Sequence, residues 1–327
     1  MKKVSVIIPC FNATKYLPKC FMSLVQQTIG IDQIELIFVD DASTDEDATW
    51  NMLQEFERAY PESIKILKLE ENMRQGGARN VALQYATGEY IAFVDADDFV
   101  SENFLLETYE KAKESDADII QFEYFYYTDR LGAVDSGRNI TPEVIEISSV
   151  SDRKRFLISE KVTYGCWNKL YRHTLLNEAH TAYAEHVIYE EPLFVYPLLY
   201  FANKIVILND AYYYYRQNDS GTMRNDMRQE ETLKMHADVQ LAVWNFMKKT
   251  PFFKEYYDEI KLYFLHTYLY ETLYFAKLRD FKPSYSFYKE LEKTILAEVP
   301  DYAQSTYSAL IPKQMELYRM MGEGMTE

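Results

Sequence analysis

The sequence predicts an α/β layer fold with a largely parallel sheet, followed by a helical C-terminal region. Short apolar runs alternate with amphipathic stretches through the first 127 residues. Several of these runs lead directly into polar residues, as strands of an open sheet do at a ligand edge. Beyond about residue 224, apolar residues recur at helical spacing. The chain has 327 residues, 48% of them hydrophobic, which allows one large domain with an appendage.

Five apolar runs are predicted to be strands, and the stretches between the first three are predicted to be crossover helices. The helices are expected at Lys15 to Gln27 and at Glu46 to Tyr60, the second capped by the Ser43-Thr44-Asp45 cluster. The predicted strands are Val4 to Pro9, Ile34 to Val39, Ile64 to Leu69, Tyr90 to Val94 and Ile119 to Tyr127.

The second half of the chain divides at turn-forming residues. A polar loop spans 128–150, mixed structure follows to about residue 218, and a boundary is expected near Asp219 to Gly221. We therefore predict a first domain at 1–223, with halves at about 1–127 and 128–223, and a helical region at 224–327. Prolines at 283, 300 and 312 divide that region into several helices, which carry an aromatic stripe that includes Phe264 and Tyr268.

Composition argues against several classes of function. The formal charge of -16 lacks the basic excess that a nucleic-acid partner requires. The apolar stretch from Pro192 to Asn203 is shorter than the roughly 20 residues of a membrane span. Three widely spaced cysteines without a Cys-x-x-Cys pair suggest reduced thiols in the cytoplasm. Neither a His-Glu-x-x-His motif nor a Gly-x-Ser-x-Gly elbow supports a hydrolase.

Carboxylates follow two of the predicted strands. The strand from Tyr90 runs into Asp95, Asp97 and Asp98, whose hard oxygen atoms suit Mg²⁺ or Mn²⁺. A metal there could bridge two phosphates and neutralise a departing diphosphate. Asp41, with its neighbour, ends an earlier strand and could accept a nucleobase N–H. The alternative is that these acids only cap or solvate turns.

Three further segments each have a structural and a chemical interpretation. Gly76 and Gly77 with Arg79 could approach a phosphate or form a flexible loop, and they match neither the Walker nor the dinucleotide pattern. The pair Glu190-Glu191 could supply a general base or only begin a helix. The run from Tyr212 to Arg216 could line a sugar site or pack within a strand.

The order and spacing of these segments resemble the family 2 glycosyltransferases, which have the GT-A fold of a mixed sheet flanked by helices. The resemblance runs from Val4 to about Met223. Its motifs are the opening strand Val4 to Asn12, the nucleoside acids Asp40 to Asp45, the donor loop Gly77 to Asn80 and the DXD motif Asp95-Ala96-Asp97. Segments Trp167 to Tyr171 and Tyr215 to Ser220 resemble parts of bacterial polysaccharide transferases.

That resemblance implies inverting transfer of a sugar from a nucleotide diphosphate, of the uridine type, to an acceptor hydroxyl on a growing polysaccharide, glycolipid or glycoprotein glycan. It implies Mn²⁺ or Mg²⁺ held directly by Asp97, with Asp95 contacting either the ribose or the metal. The implied donor-binding residues are Pro9, Phe11, Asn12, Asp41, Gly77, Arg79, Asp95, Ala96 and Asp97. The implied acceptor or sugar pocket comprises Trp167, Lys169, Tyr215 and Arg216.

One departure concerns the base. The family usually has Glu-Asp where this chain has Glu190-Glu191, so Glu191 takes the base role by position and Glu190 remains an alternative. The extra methylene adds a rotatable bond that could shift the acceptor geometry.

Two rival functions are considered. A phospho-signalling receiver also gathers acids around Mg²⁺, but receivers are compact and would leave the C-terminal half unexplained. A catalytically silent GT-A-like protein for glycan binding or assembly is the second alternative. The C-terminal helices could form core, a homo-oligomer interface or a peripheral contact at the inner face of the membrane.

Overall fold

The computed structural model describes residues 2–217, 229–302 and 307, which group into two compact units. Of these residues, the first unit comprises 2–153 and 161–217, and the second comprises 154–160, 229–302 and 307. The predicted boundary at residue 223 lies outside the described residues, as do Ser220 and Pro312.

The first unit is built on a ten-stranded mixed sheet. All five predicted strands are present, with ends that differ from the prediction by one residue at most. The strands are β1 Val4–Cys10, β2 Ile34–Asp40, β3 Ile64–Lys68, β4 Tyr90–Phe93, β5 Phe99–Val100, β6 Ile119–Thr128, β7 Gly132–Asp135, β8 Glu143–Glu146, β9 Lys169–Arg172 and β10 Lys204–Arg216. Both β1 and β2 are buried on their two faces, which explains their unbroken apolar sequences.

Strand direction brings the functional candidates to one edge of this sheet. The main order is β3-β2-β1-β4-β9-β6-β10-β5. Strands β1 to β4 are mutually parallel, whereas β9 lies antiparallel to both β4 and β6. Because β4 and β6 are both antiparallel to β9, they run in the same direction. Strand β10 is parallel to β6 and so shares that direction. The carboxyl ends of β1, β2, β4, β6 and β10 therefore share an edge.

Between Leu17 and Phe201, all of which the structure describes, the chain forms seven α-helices and a short 3₁₀ turn at Ile31–Gln33. The helices are α1 Leu17–Val25, α2 Ala48–Ala59, α3 Arg74–Leu83, α4 Phe104–Ser115, α5 Val150–Leu157, α6 His173–Ala179 and α7 Glu191–Phe201. Side chains of α1, α2 and α4 join one core with alternate residues of the central strands. On the opposite face, Phe93 packs edge-on against Phe194 of α7 and against Tyr171.

Two local predictions are corrected. Gln75 to Asn80 is not a loop but part of α3, because close packing favours glycine there despite its cost of about 1 kcal/mol in a helix. A Cβ atom on Gly76 would lie 2.3 Å from the carbonyl oxygen of Ala184. Helix α2 begins at Ala48 rather than at residue 46, although Asp45 still accepts a hydrogen bond from the Thr49 amide at 3.1 Å.

The second unit is helical, as predicted. It contains α8 Gln229–Met247, α9 Tyr257–Phe264, a π-helical segment Leu265–Glu271, α10 Thr272–Leu278 and α11 Tyr285–Glu298. Phe264 and Tyr268 of the predicted stripe are buried, and Trp244 stacks on Phe264 at 4.8 Å. The stripe thus supplies core to this unit. Among the described helices, none is both long and apolar enough for a membrane span.

Candidate active site

The three acids after β4 occupy different environments at the ligand edge. Asp95 and Asp98 are buried, whereas Asp97 is partly exposed. The Tyr213 hydroxyl donates to Asp98 at 2.6 Å and accepts from the Asp95 amide at 3.1 Å. The Arg216 amide donates to the other oxygen of Asp98 at 2.7 Å. Asp98 therefore anchors the turn to β10, a role that the sequence did not reveal.

Arg79 joins the end of β4 to the start of α7. Its guanidinium contacts the Asp95 carboxylate at 2.7 Å and the Glu190 carboxylate at 2.6 Å, and the residue is 1% exposed. The structure thus places Arg79 differently from the predicted phosphate contact, because two buried carboxylates already engage its Nη atoms. Gly77 likewise faces Met73 inside α3 rather than an open loop.

The two glutamates at the start of α7 have different electrostatic surroundings. Glu190 is buried against Arg79. Glu191 is partly exposed and accepts a hydrogen bond from the Cys166 amide at 2.7 Å. Burial, and then the charge of Glu190, raises the pKa of Glu191 to about 7. A carboxylate with that pKa exchanges protons near neutral pH, which is the property of a general base.

The predicted nucleoside site combines one buried acid with an exposed ring. Asp41 accepts a hydrogen bond from the Met73 amide at 2.7 Å, and burial raises its pKa to about 6. Phe11 is 47% exposed just beyond β1. Asn12 braces this corner, since its side chain accepts from the Thr44 amide at 2.8 Å.

Two of the remaining predicted donor-binding residues, Pro9 and Ala96, have apolar side chains. Pro9 is buried in β1 and lies opposite Val39 of β2. Ala96 is 8% exposed between the two acids of the DXD motif. Their side chains shape the edge of the sheet and offer no polar group to a ligand.

The predicted acceptor residues separate into two groups. Trp167 and Tyr215 are partly exposed, with stacked rings 5.4 Å apart. Lys169 is fully buried, and burial lowers its pKa to about 7. Arg216 is buried, donates to the Asp97 carbonyl at 2.8 Å and pairs with Asp129 at 2.5 Å. The rings can meet a ligand, whereas the two cations stabilise the protein.

Lys169 organises the turn that precedes β9. Its ammonium donates to Thr163 Oγ1 at 2.9 Å, to the Gly165 carbonyl at 2.6 Å and to Asn168 Oδ1 at 2.8 Å. The same turn carries the Cys166 amide that binds Glu191. Lys169 therefore acts on the site through the backbone of this turn.

The carboxylate oxygens of Asp95 and Asp97 suit a divalent cation whose remaining ligands come from the substrate and from water. Within the described residues, no group of three His, Cys, Asp or Glu side chains forms a complete metal cage. Asp97 is partly exposed, and one oxygen of Asp95 is held by Arg79. Mg²⁺ in nucleotide-dependent enzymes commonly takes one or two carboxylates and completes its shell with phosphate oxygens and water. Asp95 and Asp97 match that pattern.

Comparison with known structures addresses the fold. A Staphylococcus aureus TarS fragment, residues 1–349, solved with UDP-GlcNAc, covers 98% of this chain and 90% of its own, with a TM-score of 0.65 and 21% identity. A mannosyltransferase, PcManGT from Pyrobaculum calidifontis, solved with GDP-Man and Mn²⁺, matches with a TM-score of 0.54 and 15% identity over 98% and 86% of the two chains. The predicted GT-A fold is thereby confirmed.

Sequence comparison addresses the family. Glycosyltransferase GlyG of Streptococcus pneumoniae is 31% identical over 240 residues, which cover 68% of this chain and 73% of GlyG. TarS of Staphylococcus aureus, named as a poly(ribitol-phosphate) β-N-acetylglucosaminyltransferase, is 30% identical over 223 residues, but these cover only 36% of its length. The model of glycosyl transferase family 2 matches residues 5–179. The chain therefore belongs to glycosyl transferase family 2.

Proposed function

We propose that this chain is an inverting glycosyltransferase that moves a sugar from a UDP-sugar to an acceptor hydroxyl on a growing glycan. The observation that carries the proposal is the Arg79 bridge, which ties the DXD acid Asp95 to the glutamate pair at the start of α7. A leaving-group site and a base site are thereby held in one arrangement. We assign the catalytic domain to residues 1–223, with its donor half at 1–127 and its acceptor half at 128–223.

The donor is proposed from the nucleoside end of the site. Asp41 would accept an N–H of the base, and Phe11 would lie beside the ring. The solved TarS complex with UDP-GlcNAc supports a uridine nucleotide. The transferred group would be an N-acetylhexosaminyl or a hexosyl group, and the name of TarS supports the former. Because the pKa of Asp41 is raised to about 6, the Asp41 carboxyl group is mostly protonated, and therefore neutral, below that pH. Donor binding through a charged Asp41 would weaken below that pH.

The diphosphate is proposed to lie against Asp97 and Asp95 with Mn²⁺ or Mg²⁺. The metal would neutralise charge on the leaving diphosphate. Asp98 keeps the turn rigid through Tyr213 and the Arg216 amide, so the two metal-binding acids need little rearrangement. The Mn²⁺ in PcManGT supports this assignment by analogy of fold.

Glu191 is the proposed general base. Glu191 is partly exposed and its pKa is raised to about 7, whereas Glu190 is buried and its carboxylate is already paired with the Arg79 guanidinium. Glu191 would remove the acceptor proton while the oxygen attacks the anomeric carbon opposite the diphosphate. Direct displacement of this kind inverts the anomeric centre.

The silent glycan-binding alternative makes a different prediction, namely nucleotide-sugar binding without turnover. The decisive experiment is release of the nucleoside diphosphate from a panel of UDP-, GDP- and dTDP-sugars, with Mn²⁺, with Mg²⁺ and with EDTA. We expect metal-dependent release from a UDP-sugar. In Asp97→Ala the rate should fall on the order of 100-fold or more.

Asp32→Ala is the matched control, because Asp32 is an exposed aspartate just before β2, at the opposite end of the strands. This variant should keep the wild-type rate. If the wild type bound a UDP-sugar tightly and still released no UDP when a glycan extract was added as acceptor, that result would favour the catalytically silent alternative. Release that persists in EDTA and in Asp97→Ala would refute the metal assignment.

A further inference from the structure

Four aromatic side chains form a continuous surface beside the proposed base. Tyr124 and Tyr126 lie on the same face of β6, and Tyr215 on β10 is in register with Tyr126. Trp167 stacks on Tyr215 at 5.4 Å and meets Tyr124 edge-on at 4.8 Å. We call these four residues the aromatic platform.

The platform begins where the chemistry is proposed to occur. Tyr213 lies two residues before Tyr215 on the same face of β10, and its hydroxyl binds Asp98. The residue before Trp167 is Cys166, whose amide holds Glu191 at 2.7 Å. An acceptor that lies on these rings would therefore reach both the metal-binding turn and the base.

The rings of the platform are partly exposed, whereas the ring that precedes them on the same face of β6 is not. All four side chains are partly exposed, and Tyr126 is 37% exposed. By contrast, Phe122, two residues earlier on β6, is fully buried in the core. The hydroxyl groups of Tyr124 and Tyr126 lie 3.4 Å apart at the rim. A surface with ring faces and hydroxyl groups matches a pyranose, which has C–H faces and a polar perimeter.

Charge distinguishes between two classes of acceptor. Three cations near the platform already have partners: Arg138 lies 3.6 Å from Glu123, Arg216 pairs with Asp129, and Lys169 is buried in its turn. Glu191 adds a carboxylate beside the platform, and the whole chain carries a formal charge of -16. A polyanionic acceptor would meet repulsion here, whereas an uncharged sugar chain would not.

We propose that the aromatic platform is the acceptor subsite and that it binds an uncharged pyranose chain rather than a phosphodiester polymer. This inference rests on the proposed transferase function. It also assigns the buried Lys169 and Arg216 to supporting roles and adds Tyr124 and Tyr126 to the acceptor contacts. It separates this chain from the poly(ribitol phosphate) specificity that the name of TarS states for that protein.

The test is calorimetric titration of the UDP-saturated full chain with cellotetraose, chitotetraose, laminaritetraose and poly(ribitol phosphate). We expect at least one neutral tetrasaccharide to bind, with an affinity that changes less than about twofold between 0.05 and 0.5 M NaCl, because no ion pair is involved. Tyr126→Ala and Trp167→Leu should each weaken binding about tenfold. Tyr126 is exposed, so its variant tests the platform even if Trp167→Leu misfolds.

Tyr85→Ala is the matched control, since Tyr85 is a 44% exposed tyrosine that precedes β4 and so lies toward the opposite edge of the sheet. Its affinity should equal that of the wild type. Salt-sensitive binding of poly(ribitol phosphate) alone, wild-type affinity in both platform variants, or no binding of any tetrasaccharide would overturn the inference. Donor release by the wild type without acceptor tests the underlying function separately, so the two failures remain distinguishable.

Discussion

At the scale of single residues, Arg79 determines how the site is assembled. Its guanidinium forms ion pairs with both Asp95 and Glu190, which come from different elements and are both buried. Charges of this kind are costly to bury, and the cost becomes visible when one partner is removed. The residue thus stabilises the geometry of the site without an open face for substrate.

Replacement of Arg79 by Met should lower the free energy of unfolding by about 3–5 kcal/mol, because two carboxylates would stay buried without a counter-charge. Urea denaturation followed by circular dichroism measures the change. Lys111→Ala, which removes an exposed ion pair with Glu114, should cost less than about 0.5 kcal/mol. Equal stability losses in the two variants would contradict this account of Arg79.

The sequence predicted those site residues whose evidence lies within a few neighbouring positions of the chain. Asp95 and Asp97 follow an apolar strand directly, and the two consecutive glutamates precede an apolar helix. The partner of Glu190 was not predictable, because Arg79 lies 111 positions away in the chain. The contact of the Cys166 amide with Glu191 was not predictable either, because a backbone amide does not depend on the identity of the side chain.

At the scale of elements, helix α3 shows packing that overrides propensity. Gly76 and Gly77 would ordinarily weaken a helix, so the sequence suggested a loop. In the structure Gly76 lies against the Ala184 carbonyl and the Glu190 side chain. The continuous apolar strands β1 and β2 were predictable because burial on both faces imposes a simple pattern.

Gly76→Ala should therefore destabilise the protein by about 1–3 kcal/mol, although alanine is the better helix former. The added Cβ would lie 2.3 Å from Ala184 O and 2.9 Å from Glu190 Cγ, so α3 or the Glu190 loop must move. Thermal unfolding measures the effect. A higher melting temperature in the variant would show that helix propensity outweighs the close contact.

The turn from Thr163 to Asn168 offers a second prediction at this scale. Lys169→Met retains the length of the side chain but removes the three hydrogen bonds that hold this turn. Because the turn presents the Cys166 amide to Glu191, we expect kcat to fall about 10–100-fold through misplacement of the base. The donor KM should change less than about threefold.

Lys169→Arg is the companion variant, since it restores a cation and several donors. It should recover part of the lost kcat if the turn is what matters. A large rise in donor KM in Lys169→Met, with unchanged kcat, would instead assign Lys169 to donor binding. Steady-state kinetics over a range of donor concentrations separates the two outcomes.

At the scale of the whole molecule, the core of the helical unit contains a histidine that can titrate. His236 is 3% exposed, bonds Thr272 at 2.8 Å and has Glu271 and Arg279 nearby. Burial is the main cause that lowers its pKa from 6.5 to about 4. The unfolded chain then binds more protons than the folded chain between these two pH values.

Stability of this unit should therefore decrease as the pH falls from 6.5 to 4, by about 2–4 kcal/mol from His236 alone. His236→Gln keeps a hydrogen-bonding side chain that does not titrate, so this part of the pH dependence should disappear. Amide hydrogen exchange in α8 and α10 at pH 4.5 and 7 measures it. The same pH slope in wild type and variant would contradict the assignment to His236.

The central claim is that Glu191 removes the acceptor proton, and the pH dependence of sugar transfer by wild type, Glu191→Gln and Glu190→Gln tests it most directly. The base acts when ionised, so kcat/KM of the wild type should rise with pH around a midpoint near 7 and level off above it. Glu191→Gln should lose about 10²–10⁴-fold in rate and the rising limb, whereas Glu190→Gln should keep that limb. Retention of the limb in Glu191→Gln, or its loss only in Glu190→Gln, would contradict the account.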